Sequence, residues 1–177
     1  MLTQAGEHGL RHVSVRSVLE DCGSYRSQFY LHFTDKQDCF VLAYQDEIYR
    51  LSQRLLGVIE ADEPVRTRCE TALSMLSDLV AEEPALAKAL FIEVHVAGEA
   101  ALATRREVVE RLSRAIDRTC RENESRHSPP PMTAEFIVGA VDQAISSALV
   151  REAPEELRNA VEELSIVLSE MLRPVRS

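Results

Sequence analysis

The sequence predicts an all-α fold, with a small helix-turn-helix head at the N-terminus carried on a larger helical body. Three observations support that expectation. Apolar residues recur at i, i+3, i+4 and i+7 along nearly the whole chain, which is the period of an amphipathic helix. Near the N-terminus, Gly23 separates two such stretches that are each only about two turns long. Further on, Pro64, Pro84, the HSPPPM run from His127 and Pro154 cut the remainder into segments of helical length.

Taken in order, Met1 to Gly9 predicts a short first helix, with Leu2 and Ala5 toward the core and Gly9 ending it. Ser14 fits the N-cap of the next helix, in which Val15, Val18, Leu19 and Cys22 share one face. After Gly23, a second short helix over about Tyr25 to Phe33 turns Phe29 and Phe33 inward. Arg26, Ser27, Gln28, Tyr30 and His32 are left on its outer face. Asp35 and Asp38 mark the start of a long helix carried to about Gly57 by Val41, Tyr44, Ile48, Leu51 and Leu55.

The linker 61–64 leads to a helix from Val65 to about Glu82. Another is expected from Pro84 to Gly98, with proline at its first position. A charged helix follows from Ala100 to Arg126, on which Glu107 with Arg111, Glu110 with Arg114 and Asp117 with Arg121 are spaced as surface pairs. Beyond the proline run, residues 133–151 form a helix rich in small residues. The last helix starts at Pro154 and has an apolar stripe wider than one small body can bury, so a partner is expected.

The chain has 177 residues, 45% of them hydrophobic, and no Trp. No run approaches 18 consecutive apolar residues, so no membrane partner is expected. Cys22, Cys39, Cys69 and Cys120 stand singly, without metal-ligand spacing. They read as reduced thiols of a cytoplasmic protein, with Cys22 and Cys39 on core faces. No glycine-rich phosphate loop, nucleophile elbow or metal motif is present, so neither an enzyme nor a cofactor is expected, and no catalytic or metal residues are named.

The combination Ser14-Val15-Arg16, Gly23, Phe29-Tyr30, His32-Phe33 and Asp35-Lys36 closely resembles the DNA-binding segment of the TetR family of bacterial transcriptional regulators. The resemblance covers about residues 2–45, and the first helix is shorter than the family's. It implies a DNA-binding head over 1–45 and an effector-binding, dimerising body over 46–177. It also implies a homodimeric repressor on a palindromic DNA operator, released by a small-molecule effector. By the same resemblance Ser14, Arg16, Tyr30, His32 and Lys36 lie at phosphates. Arg26 and Gln28 carry donors suited to guanine and adenine edges, and Ser27 permits close approach. Ser24, Tyr25 and Ser27 depart from the family pattern.

In the body, periodicity and position suggest Tyr44, Ile48, Phe91, Glu93, His95, Val109 and Leu112 for the effector pocket. The resemblance further implies that the last two helices pair with their copies in a four-helix dimer interface, for which Phe136, Ala140, Ala144, Leu157, Val161, Leu164 and Leu168 are expected. The net charge of −9 sits badly with DNA binding, and from His8 to Lys36 four basic residues barely exceed three acidic ones. The alternative reading is therefore an all-helical dimeric binding protein whose helix-turn-helix no longer binds DNA.

Overall fold

The structure is a computed structural model that describes residues 1–122 and 132–172. Among the described residues it is all-α, with a helix-turn-helix head and a helical body. The helices are α1 (Leu2–His8), α2 (Val15–Cys22), α3 (Arg26–His32), α4 (Lys36–Ile59), α5 (Val65–Glu82), α6 (Pro84–Phe91), α7 (Glu99–Glu122), α8 (Thr133–Arg151) and α9 (Pro154–Met171).

Local chemistry accounts for the head. The Ser14 hydroxyl accepts from the Ser17 N–H and the Ser17 hydroxyl accepts from the Ser14 N–H, both at 3.1 Å, closing a reciprocal cap on α2. Gly23 ends α2 in the left-handed conformation (φ 61°, ψ 29°), which lets the chain swing directly into α3. Asp35 caps α4 by accepting from the N–H groups of Gln37 and Asp38. Leu19, Phe29 and Cys39 form a small cluster of the head's own.

The larger core does not stop at the head. Ala5, Leu10, Val13 and Val18 join one cluster with Phe40, Tyr44, Val80, Leu90, Val94 and Ile145. The boundary expected at residue 45 falls inside α4, the helix common to both parts. In the body, α5 packs along α9, α4 along α7, and α7 and α9 both against α8.

Several expected elements differ. The helix from Pro84 stops at Phe91 and gives way to a single 3₁₀ turn, Glu93–Val96, before Gly98 bends the chain at φ 98°. On α7, the side taken as wet partly faces α4: Tyr49 donates to Glu107 at 2.9 Å, Gln45 donates to the Thr104 hydroxyl, and Arg118 pairs with Glu60. Cys22 is exposed rather than buried, its thiol donating to the Val18 carbonyl, whereas Cys39 is buried and its thiol is pushed up by that burial. The stretch 123–131, which takes in most of the proline run, lies outside the described residues, as does the Cys120 side chain. By length and composition α8 could cross a membrane, but Asp142 and an ion pair sit in its middle and its apolar residues pack onto α6 and α7.

Candidate functional site: helix-turn-helix and body cavity

On the head, Ser14, Arg16, Arg26, Ser27, Gln28, Tyr30 and His32 are all exposed. Arg26 lies over the Tyr30 ring, 5.7 Å from its centroid, and Tyr30 packs edge-on against Phe29. Buried Phe29 thus supports Tyr30 and, through the Tyr30 ring, Arg26. The Ser24 hydroxyl donates to the Gln28 side-chain oxygen Oε1 at 2.9 Å, which leaves the Gln28 side-chain NH₂ free to point outward. Arg16 pairs with Glu20 at 2.7 Å, on a fully hydrated surface where such a pair opens easily.

Lys36 is placed differently from expectation. Its ammonium turns inward and donates to the carbonyls of Leu10, Arg11 and Val13 at 3.0, 3.0 and 2.8 Å. The three carbonyls belong to the connection between α1 and α2, so the charge closes a backbone turn and is not presented to a phosphate. Arginine could not replace it well, because a planar fork does not converge on three acceptors as an ammonium does.

Head and body meet along α1 and α6. Two side chains reinforce the seam: Glu93 accepts from the Leu10 N–H at 2.7 Å, and Gln37 donates to the Ala97 carbonyl at 2.6 Å. Glu93 is therefore a structural contact of the α1–α2 connection. It does not line the cavity, and nor does His95, which is exposed. The 3₁₀ turn carries His95, which a continuous helix would have stacked one turn beyond cavity-lining Phe91, away from the body interior.

Inside the body lies a mostly apolar cavity of about 160 Å³, open at its mouth and lined by α4, α5, α6, α7, α8 and the end of α9. Of the expected pocket residues, Ile48, Phe91, Val109 and Leu112 line it. Tyr44 sits just beyond the wall, fully buried, and its hydroxyl makes no hydrogen bond of good geometry. Burial pushes its phenol up to about 12, with Arg105 pulling the other way.

This sets a pH dependence whose sign is fixed. An unfolded phenol ionises near pH 10 while the buried one stays neutral to about 12, so stability present below pH 10 is lost as pH rises through that window. Tyr44→Phe is expected to leave stability at pH 8 unchanged or slightly raised, since it removes only an unsatisfied hydroxyl. At pH 11 the parent should have lost about 1.4 kcal/mol more than the variant, as read by urea unfolding at the two pH values.

The cavity also holds polar groups that the sequence reading passed over. Arg105 and Asp142 pair at 2.5 Å near its head-proximal end, and Arg68 lies near the other end, where α4 finishes. Their signal was present: Arg68 stands on the stripe Val65, Arg68, Ala72, and Asp142 on Val138, Asp142, Ile145. A charged residue at an apolar register position is the trace of a polar group turned inward.

The expected dimer residues divide. Leu157 and Leu168 are buried within the protomer, and Val161 and Leu164 pack beside them, chiefly toward α5. Ala144 is half-buried against the main core. Only Phe136 and Ala140 are exposed, together with Met132 just before α8, Val150 on α8, and Ile166 and Val167 on α9. The apolar stripe of α9 is wide enough to have two sides, and the side assigned to a partner is the one that α5 covers.

No protein-family model matches the sequence, and no curated protein matches it significantly. Solved structures do. The fatty acid degradation regulator FadR from Bacillus halodurans superimposes with a TM-score of 0.78 at 17% identity, over 97% of this chain and 96% of that one. The transcriptional regulator FadR from Bacillus subtilis, in complex with stearoyl-CoA, gives 0.80 at 14% identity, over 97% and 95%. A protein from Syntrophomonas wolfei assigned to the TetR family gives 0.73 at 18%, over 99% and 93%. The chain has the TetR-type fold. At these identities the likeness is one of fold, and it extends over the whole chain a resemblance that the sequence carried only to about residue 45.

Proposed function

We propose that this TetR-type chain is a dimeric transcriptional regulator. It binds a palindromic operator through α2 and α3 and is released by an apolar small molecule held in the body. The single observation that carries this reading is the joint construction of head and body: one core runs from α1 to α8, beside a mostly apolar cavity with an open mouth. The same helix serves both, because α6 presents Phe91 to the cavity at its end and seats α1 at its start. A ligand that shifts α6 therefore shifts α1, and ligand and operator each weaken the other's binding. That the Bacillus subtilis FadR structure holds stearoyl-CoA supports a long apolar occupant. The exposed apolar residues Phe136, Ala140, Val150, Ile166 and Val167 are the surface on which a second copy would pack.

The degenerate-head reading keeps some support from the inward Lys36 and the paired Arg16. The two readings separate on DNA from immediately upstream of the chain's own gene, titrated at two salt concentrations. The regulator reading expects binding that weakens as salt rises, and a loss of about 10- to 100-fold in Arg26→Ala at unchanged melting temperature. Absence of binding at both salts, with the protein folded, would favour the alternative.

A further inference from the structure

We infer that the ligand of the body cavity carries a carboxylate at the end of an apolar chain, and that Arg68 receives it. The inference rests on the effector reading above and makes it specific. Arg68 is only 8% exposed and lines the cavity. One of its nitrogens, Nη1, donates to the Ile59 carbonyl at 2.6 Å, while Nε is buried with no partner. No carboxylate pairs with it among the described residues.

A guanidinium does not lose its proton at any accessible pH, so it cannot escape burial by becoming neutral. A buried cation with a donor left over is costly unless an anion completes it. The other charges in the cavity are already matched, since Arg105 is paired with Asp142. Among the described residues the site thus has one unmatched positive charge, at the end where α4 finishes and α5 begins. From there an apolar wall of Leu55, Leu73, Leu112 and Ile145 leads toward Phe91. A carboxylate offers two acceptor oxygens to the fork, and its chain follows that wall. A neutral chain of the same length would fill the wall and leave Arg68 as it is.

The test uses the full chain with three probes of one chain length: dodecanoate, 1-dodecanol and dodecanoyl-CoA. Binding is read by displacement of a fluorescent apolar dye and confirmed by calorimetry. Dodecanoate is expected to bind about 10- to 100-fold more tightly than the alcohol, the worth of a charge-assisted hydrogen bond. In Arg68→Met that preference should vanish while the alcohol binds as before, and Arg68→Lys should recover part of it. Circular dichroism checks that both variants remain folded.

Equal binding of acid and alcohol to the parent protein overturns the inference while leaving the apolar effector site standing. A preference for the acid that survives in Arg68→Met, or tighter binding of the thioester than of the acid, also overturns it. If no probe binds, the inference and the effector reading of the cavity fall together.

Discussion

Gly6→Ala is expected to destabilise the protein by about 3 kcal/mol, the upper part of the range for forcing one methyl into a filled contact. Gly6 is buried on the face of α1 that meets α6. A β-carbon built there would stand 1.7 Å from the Ala85 carbonyl oxygen and 2.5 Å from its carbon. These are backbone atoms in the first turn of α6, so no side chain can swing aside, and the two helices must part by more than an ångström. Ala5, which is fully buried beside it, would be drawn out of the core with α1. The melting temperature should fall by about 6–12 °C. Gly57→Ala serves as the control: it lies exposed in the last turn of α4 with nothing within 4 Å, and should gain at most about 0.5–1 kcal/mol from helix propensity alone. Thermal melts of the two variants beside the parent decide the matter. A Gly6→Ala protein that melts like the parent would mean that α1 is not seated on α6.

The same glycine shows what the sequence did and did not reveal. Helix positions were legible because each depends on near neighbours: Ser14 on Ser17, Gly23 on its own φ, Pro84 and Pro154 on their missing N–H. Which faces meet was less so, because it depends on residues distant in the chain. Gly6 reads as a weak helix former until Ala85 is beside it. The α9 stripe could not announce that α5 takes its Leu157 and Leu168 side and leaves Ile166 and Val167 outside. His95 was misplaced for a similar reason: a break after Phe91 swings it off the Phe91 face, and no proline or glycine marks the break, while Glu93 was on the opposite face from the start. Of the cavity, the aliphatic wall was partly legible from periodicity, since Ile48, Phe91, Val109 and Leu112 lie on core stripes. The polar residues were hidden by treating charge as a sign of solvent, although Arg68 and Asp142 occupy apolar register positions.

Lys36→Met is expected to cost about 3 kcal/mol and to lower the melting temperature by about 6–12 °C. The aliphatic stem survives the change and only the ammonium is lost. With it go three hydrogen bonds from a charged donor to the carbonyls of Leu10, Arg11 and Val13. A single such bond contributes about 1.5–3 kcal/mol, but water can reach part of this half-buried site, so the three do not add in full. Lys36→Arg should recover little of the loss, because a planar fork does not converge on three carbonyls.

The variant also separates two roles for the residue. If Lys36 contacted a phosphate, Lys36→Met would melt normally and the salt slope of DNA binding would shrink by about one counterion. With the ammonium turned inward, the opposite pair of results is expected: lowered stability, and an unchanged salt slope measured well below the melting transition. The slope isolates the electrostatic contact from any loss of folded protein, since unfolding scales the apparent affinity without altering its dependence on salt. A normal melt with a reduced slope would return Lys36 to the DNA surface. The retained slope would leave Arg26 as the cation that α3 presents, held in place by the Tyr30 ring and, beneath it, by buried Phe29.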